Sequence, residues 1–225
     1  MRQQIRIYLF ILSLVFSVLP VSAQQKQKNI VQPKDSIPFF RGVAVSADAV
    51  GLIEYVSGDH GQFEAAVRVN LKDKYFPVFE VGYGMADHDD DVTKIKYKTK
   101  APYARIGVDF NVLKNKHDIY KLFCGLRYGF TSFDLDVTCP SLKDPVWGNN
   151  AAYGGEDIEC SYHWVEAAVG LDAKIWGPLH LGWSLRYRQR ISYDCGDLGE
   201  CWYVPGYGKA GSSRIGGMFY VTINI

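Results

Sequence analysis

The chain has 225 residues, of which 25 are basic and 24 acidic, so its formal charge is only +1. That balance excludes the basic surface of a nucleic-acid binder and the strong charge excess of a disordered tail. With 48% hydrophobic residues and 22 glycines, the length suits one domain rather than several.

In chain order, Arg2 and Arg6 precede an apolar run from Ile7 to Val21, which closes with Val21-Ser22-Ala23 before a polar Gln24-Gln25. A charged start, a short apolar core and a small-residue ending predict a secretory signal peptide over residues 1–23. A membrane anchor would need about 20 uninterrupted apolar residues. No cysteine follows the cleavage point, which argues against lipoprotein anchoring. Cleavage removes two arginines and no acid, leaving a formal charge of −1. Residues 24–38, rich in Gln and Lys, read as a flexible periplasmic lead-in, and residues 39–225 as the folded domain.

Within that domain, eight stretches alternate apolar and polar residues: 42–51, 62–71, 76–84, 104–112, 120–131, 164–175, 179–191 and 215–225. In the clearest, Ala104, Ile106, Val108, Phe110 and Val112 face one way while Arg105, Gly107, Asp109 and Asn111 face the other. A period of two predicts strands, and no stretch after the N-terminal segment has the pattern of an amphipathic helix. Short links at 72–75, 114–118 and 177–178 alternate with long ones at 53–61, 85–101, 132–163 and 192–212. Short turns on one side and long loops on the other are the arrangement of an outer-membrane barrel.

A soluble ligand-binding barrel also has eight alternating strands, but its apolar face points inward. Here the glycines decide between the two. Gly82, Gly84, Gly107, Gly125, Gly129, Gly170, Gly182 and Gly216 share the parity of the charged residues, as expected of a narrow lumen that needs small residues beside large ones. The opposite face is nearly free of charge and carries Tyr120, Tyr128, Phe130, Trp183, Tyr187 and Phe219 as candidates for aromatic girdles. The expected fold is therefore all-β: an eight-stranded antiparallel up-and-down transmembrane barrel of the outer-membrane type, with a filled polar lumen.

The blocks FEAAVRVNLKDKYFPVF (63–79), YARIGVDFNVLKNKH (103–117), GLRYGFTSF (125–133), DAKIWGPLHLGWSLRY (172–187) and WYVPGYG (202–208) resemble an uncharacterised Bacteroidetes outer-membrane β-barrel family, domain of unknown function 6048. The resemblance runs from about Arg41 to Ile225. It implies a barrel in the outer membrane of a Gram-negative cell and brings no activity, substrate or catalytic residue. The last strand, from Phe219 to Ile225, resembles the segment read by barrel-assembly machinery, although Ile225 stands where an aromatic is usual.

Parity aims Glu64, Arg68, Glu80, Arg105, Asp109, Lys121, Arg127, Glu166, Asp172, Lys174, Arg186, Arg188 and Arg214 into the lumen. At eight strands the interior is just wide enough for side chains to fill it. With both signs present and an unpaired buried charge costing several kcal/mol, the expectation is a self-satisfying ionic network. Conduction and catalysis are the alternatives. The arginines at 186, 188 and 190 also suggest a place for an anionic headgroup at the outer rim.

Cys139 and Cys160 bracket the third long loop, while Cys195 and Cys201 lie in the fourth, all on the oxidising side. Four cysteines allow three connectivities, of which the local pairs Cys139–Cys160 and Cys195–Cys201 are simplest by loop closure. Cys124 falls on the lipid-facing parity and reads as a small apolar residue. In the second long loop, Asp87, Asp89 and Asp91 offer oxygen ligands for a hard cation, but without the glycine turn and distal glutamate of an EF-hand. The lysines at 94, 96, 98 and 100 follow at alternate positions, so the two charge runs are placed to pair across a hairpin.

An enzyme acting on lipid A would need a serine and a histidine near the rim. Ser161, His163 and Glu166 are one candidate set, and His180 with Ser184 another. His163 and Glu166 have opposite parity, however, and positions 180 and 184 lie roughly 13 Å apart in a strand, too far for a nucleophile–base hydrogen bond. The sequence is thus read as a structural or surface-interaction barrel. A lipid A-modifying hydrolase or acyltransferase, or a small lipid- or solute-binding barrel, is the alternative. No cofactor is expected. The expected partners are outer-membrane lipid and lipopolysaccharide, with barrel-assembly machinery during insertion, for a monomer that binds no nucleic acid.

Overall fold

A computed structural model describes residues 38–51, 60–89, 95–116, 118–143, 150–196 and 201–225. The expected signal peptide and nearly all of the expected lead-in lie outside these residues. Eight long strands, β1 (Phe40–Asp48), β2 (His60–Leu71), β3 (Tyr75–Asp89), β4 (Lys96–Asn111), β5 (Tyr120–Lys143), β6 (Asn150–Trp176), β7 (Leu179–Asp194) and β10 (Ser213–Asn224), form the wall. Two short ones, β8 (Tyr203–Val204) and β9 (Gly208–Lys209), make a hairpin of their own.

The wall is a closed antiparallel barrel in the order β1-β10-β7-β6-β5-β4-β3-β2. Closure is made by β1 against β10, from Ala44↔Asn224 to Asp48↔Tyr220, and reinforced where Val43 and Ile225 exchange backbone hydrogen bonds of 3.1 and 2.7 Å. Within the belt each strand is paired on both sides, which leaves no edge there to pair with another chain, whereas the ends of β5 beyond Thr138 and of β6 before Ser161 pair only with each other. Each of the eight alternating stretches contributes a strand, although the first gives way to a helical turn at residues 49–51. Each of the three short links is a turn between neighbours, the tightest being Gly177-Pro178 with φ +53° at Gly177.

The strands run further than the alternation of an apolar outer face suggests. Residues 85–89 and 96–101, and most of 132–163, are strand rather than loop. The reason is an inversion of polarity along continuous strands. On β5 the outward residues change from Leu126, Tyr128 and Phe130 to Ser132, Asp134 and Asp136, while the inward ones change from Gly125, Arg127 and Gly129 to Phe133, Leu135 and Val137. On β6 outward Val169, Ala167 and Val165 give way to His163, Ser161 and Glu159, and inward Ala168 and Glu166 to Trp164, Tyr162 and Cys160. Outward Ile106 and Pro102 on β4 give way to Lys100, Lys98 and Lys96. A strand leaving hydrocarbon for water must turn its polar face outward and its apolar face inward, which places one edge of the apolar belt at this change.

The belt is an exposed apolar ring, with Phe79, Val81, Ile106, Phe110, Leu126, Val169, Leu185 and Ile223 among its members. Tyr120, Tyr128, Phe130, Trp183, Tyr187 and Phe219 all face outward on it. Cys124 is exposed on the same surface. Beyond the belt, Phe133, Leu135, Val137, Tyr162 and Trp164 form a hydrophobic core with Tyr103, Val204 and Tyr207.

Inside, glycines of one strand make room for rings of the next. Gly82 faces Tyr103, Gly129 faces Trp164 and Gly182 faces Tyr220 across the ladder. A Cβ at any of the three would fall inside the opposing ring.

Candidate functional site: a sealed ionic lumen

Ten charged side chains fill the middle of the barrel. Arg68, Arg105, Arg127, Arg186 and Arg188 and the carboxylates Glu64, Glu80, Asp109, Glu166 and Asp172 are all buried. The counts match, five against five, so the layer is formally neutral.

Glu80 and Arg105 are its hubs. Glu80 accepts from Arg127 Nε at 2.8 Å and from Arg186 Nη1 and Nη2 at 2.9 and 3.1 Å. Arg105, fully buried, pairs with Glu64, with Glu80 at 3.2 Å and with Glu166 at 2.8 Å. Arg127 bridges onward to Asp109 at 3.0 Å, and Arg188 Nε lies 3.2 Å from Glu166. Neutral donors complete the acids: Tyr103 donates to Glu64 at 3.1 Å and Trp164 Nε1 to Glu166 at 2.6 Å. Each buried charge has an opposite charge at contact, the condition under which such a layer is tolerated.

Three residues assigned to the lumen by parity stand outside this network, the first being Lys121, which is part-buried at the short-turn mouth beside Asp73. Lys174 is exposed at the short-turn rim. Arg214 is exposed too, donating to the backbone oxygens of Lys209 and Ala210 at 2.7 and 2.9 Å. Parity reports which face a side chain takes; it does not report its depth. Arg186 and Arg188, for their part, lie inside the lumen and are not at the rim for a headgroup.

The long-loop mouth is closed by a plug. Val204–Tyr207 is a β-turn with Pro205 in its second position and Gly206 at φ +82° in its third, closed by Tyr207 N donating to Val204 O at 3.1 Å, as a type II turn requires. Val204, Pro205 and Tyr207 are fully buried. The ionic layer holds this turn from below, since Arg105 Nη2 donates to Gly206 O at 2.6 Å and Arg188 Nη1 to Tyr207 O at 2.9 Å. Tyr207 packs beside Tyr162 and Trp164, with ring centroids 4.9 and 5.9 Å apart. Burial pushes both tyrosine phenols, 162 and 207, above their ordinary range. The WYVPGYG block signals a turn, but nothing in its sequence says that the turn folds inward.

At the opposite, short-turn mouth, His180 Nδ1 meets Asp172 Oδ1 at 2.6 Å and its Nε2 meets Asn224 Nδ2 at 2.7 Å. Arg41 pairs with Asp73, and Lys121 approaches the same carboxylate at 3.5 Å. Sequence reasoning placed Lys121 and Asp172 in the lumen and singled out His180, but it missed their partners Arg41, Asp73 and Asn224, which lie at strand ends and in a turn, where alternation stops being informative.

The remaining candidates fall as follows. Ser161 and His163 share the outer face of β6, with His163 Nδ1 2.8 Å from Tyr128 Oη, whereas Glu166 points into the lumen; the three do not converge. His180 is committed to Asp172 and Asn224, away from Ser184, whose hydroxyl meets Arg186 Nε at 3.4 Å. Asp87 and Asp89 stand opposite Lys98 and Lys96, and the Asp89–Lys96 pair closes at 2.9 Å. That hydrogen bond holds the Lys96 ammonium above its ordinary pKa. Asp91 lies outside the described residues, and no cluster of metal-ligating side chains occurs among those described.

Of the three connectivities the sequence left open, the local pairs simplest by loop closure are not the ones formed, because Cys160 is bonded to Cys195. The β6–β7 ladder pairs Ser161 with Asp194, which brings the next residues out, 160 and 195, face to face. Register overrides proximity in sequence. Cys201 is buried beside the same core, and the side chain of Cys139 lies outside the described residues.

A family profile described as "Domain of unknown function (DUF6048)" matches residues 7–224. No curated protein matches the chain. Among solved structures, Ail, the attachment invasion locus protein of Yersinia pestis, in complex with the heparin analogue sucrose octasulfate, is similar at 12% identity over 81% of this chain and 93% of that one, with a TM-score of 0.38. A major outer membrane protein from Thermus thermophilus aligns at 13% identity over 81% and 98%, with a TM-score of 0.49. Neisserial surface protein A aligns at 13% identity over 83% and 99%, with a TM-score of 0.38.

Proposed function

The chain belongs to this family of unknown function, and from that premise we propose that it is a monomeric outer-membrane barrel of a Gram-negative cell whose role is to hold a rigid sheet outside the membrane for surface interaction. The resemblance to a Bacteroidetes family and the signal peptide read over residues 1–23 support that address. Lipid and lipopolysaccharide are then its surroundings, and barrel-assembly machinery its partner during insertion.

One observation carries the reading: the polarity inversion on strands that continue well past the apolar belt. A membrane-spanning strand needs about 9–11 residues, whereas β5 has 24 and β6 has 27. From Ser132 to Lys143 at about 3.4 Å per residue, β5 continues for roughly 37 Å of strand length past the belt. The projecting sheet has its own hydrophobic core, a disulfide and a plugged base, so it presents a fixed surface. The sealed lumen beneath it serves as the foundation.

An epitope inserted between Lys143 and Asn150 should bind antibody on intact cells, and one in the Gly177-Pro178 turn only after permeabilisation; the reverse pattern would overturn the topology. Replacing residues 138–154 by a short turn should leave a barrel that still folds in detergent but captures fewer surface proteins than the wild type. Equal capture would remove the interaction role.

A further inference from the structure

Below the ionic layer the barrel is hollow. A cavity of about 180 Å³ opens towards the short-turn rim and shares Arg41, Asp73, Lys121 and Asn224 with a second space of about 210 Å³ at the mouth. For comparison, an apolar protein cavity of about 150 Å³ accommodates benzene. The walls of the inner cavity are mixed: Val43, Ala44, Phe76 and Phe123 supply apolar surface, while Arg41, Arg68 and Lys121 supply positive charge against the carboxylates of Asp73 and Asp172.

Arg68 sets the character of the space. Only 8% exposed, it lies with its guanidinium 4.7 Å from the centroid of the Phe123 ring. Its ion pairs are the loosest of the buried arginines: Asp109 at 3.4 Å and Asp172 at 3.9 Å. Both carboxylates are held more closely by other donors, Asp109 by Arg127 at 3.0 Å and Asp172 by His180 at 2.6 Å. Arg68 Nε is buried without a hydrogen-bond partner. Arg105, Arg127 and Arg186 form the shorter contacts of the layer above, whereas Arg68, which also hydrogen-bonds Tyr220, lines the hollow with the longer ones. A planar guanidinium with unused donors is suited to a carboxylate, which can accept two parallel hydrogen bonds.

We propose that the short-turn cavity is a binding site for a small organic carboxylate with a compact apolar body, its anionic group on Arg68 and its body against Val43, Ala44 and Phe76. The cavity admits a ring-sized molecule, and its lining carries three basic side chains, Arg41, Arg68 and Lys121, against two carboxylates, Asp73 and Asp172, a net positive wall. The plug and the ionic layer close the far side, so the ligand enters and leaves by the short-turn mouth and does not cross the barrel.

The test uses the full-length mature protein in detergent, with benzoate as probe, benzyl alcohol as its uncharged counterpart and inorganic phosphate as an anion without an apolar body. Saturable binding of benzoate by ligand-observed NMR is expected, with benzyl alcohol and phosphate each weaker by about tenfold or more. Arg68→Gln should weaken benzoate to the level of benzyl alcohol. If that variant does not fold, Ala44→Phe, which fills the cavity and leaves every charge in place, decides the matter: it should abolish benzoate binding in a barrel that keeps its heat-modifiable mobility. No saturable benzoate binding, equal affinity for benzyl alcohol or phosphate, or binding that survives Ala44→Phe would each overturn the proposal.

Discussion

Arg127 tests what the buried charges do. Replacing it with leucine leaves Glu80 without its 2.8 Å partner and Asp109 without its 3.0 Å one, in an interior where a stranded charge is costly. Arg127→Leu should lower the stability of the detergent-folded barrel by about 3–5 kcal/mol in denaturant titration. Arg214→Leu, at a position with equal charge and the same inward parity, should stay within about 0.5 kcal/mol because the side chain is exposed at the start of β10. Similar losses for the two would mean that the central layer is not a coupled network. The contrast also marks what sequence resolves at this scale. Alternation places Arg127 and Arg214 on one face, but only the plug and the ring of neighbours separate a buried hub from a rim residue.

Strand β5 shows why the eight strands were legible and their lengths were not. Alternation with apolar residues outward identifies the segment that crosses lipid, and it stops at Thr131 because the solvent changes there, not because the strand ends. Reading Phe133, Leu135 and Val137 as one face requires allowing that face to point inward. The consequence is measurable on a single face: Leu126→Arg should cost about 2–4 kcal/mol in folding into lipid vesicles if Leu126 sits near the midplane, whereas Asp134→Arg, eight residues along, should cost little. Equal costs would move the belt edge. The same ladder logic governs the cysteines, whose pairing sequence spacing leaves open. Non-reducing peptide mapping should recover Cys160 joined to Cys195, with Cys139 then left to Cys201 as the remaining combination, and Cys124 should label as a thiol once detergent is removed. A Cys139–Cys160 peptide would contradict the β6–β7 register.

At the scale of the whole molecule, an apolar exterior and a neutral, plugged interior dictate behaviour in bulk. The protein should require detergent to stay monodisperse and should change electrophoretic mobility on boiling, since a closed ring has no frayed edge from which to unfold. Planar-bilayer recordings should show no steady ohmic current, because the ionic layer and the Val204–Tyr207 turn leave no continuous water column. Removing residues 202–209 should not by itself open a pore, as the ten charged side chains lie below. Stable conductance in the wild type would mean that the lumen is not sealed.

The seam between β1 and β10 makes the ring indifferent to where its backbone is cut. Val43 and Ile225 are hydrogen-bonded neighbours on the rim that also carries the Gly177-Pro178 turn. A circular permutant that joins the region around residue 38 to Ile225 through a short flexible linker and opens between Gly177 and Pro178 keeps every strand pair. It should refold in detergent to the same heat-modifiable species. In cells it would end on β6 instead of β10, so a permutant competent in detergent but absent from the outer membrane would separate the physics of closure from the recognition of a terminal strand.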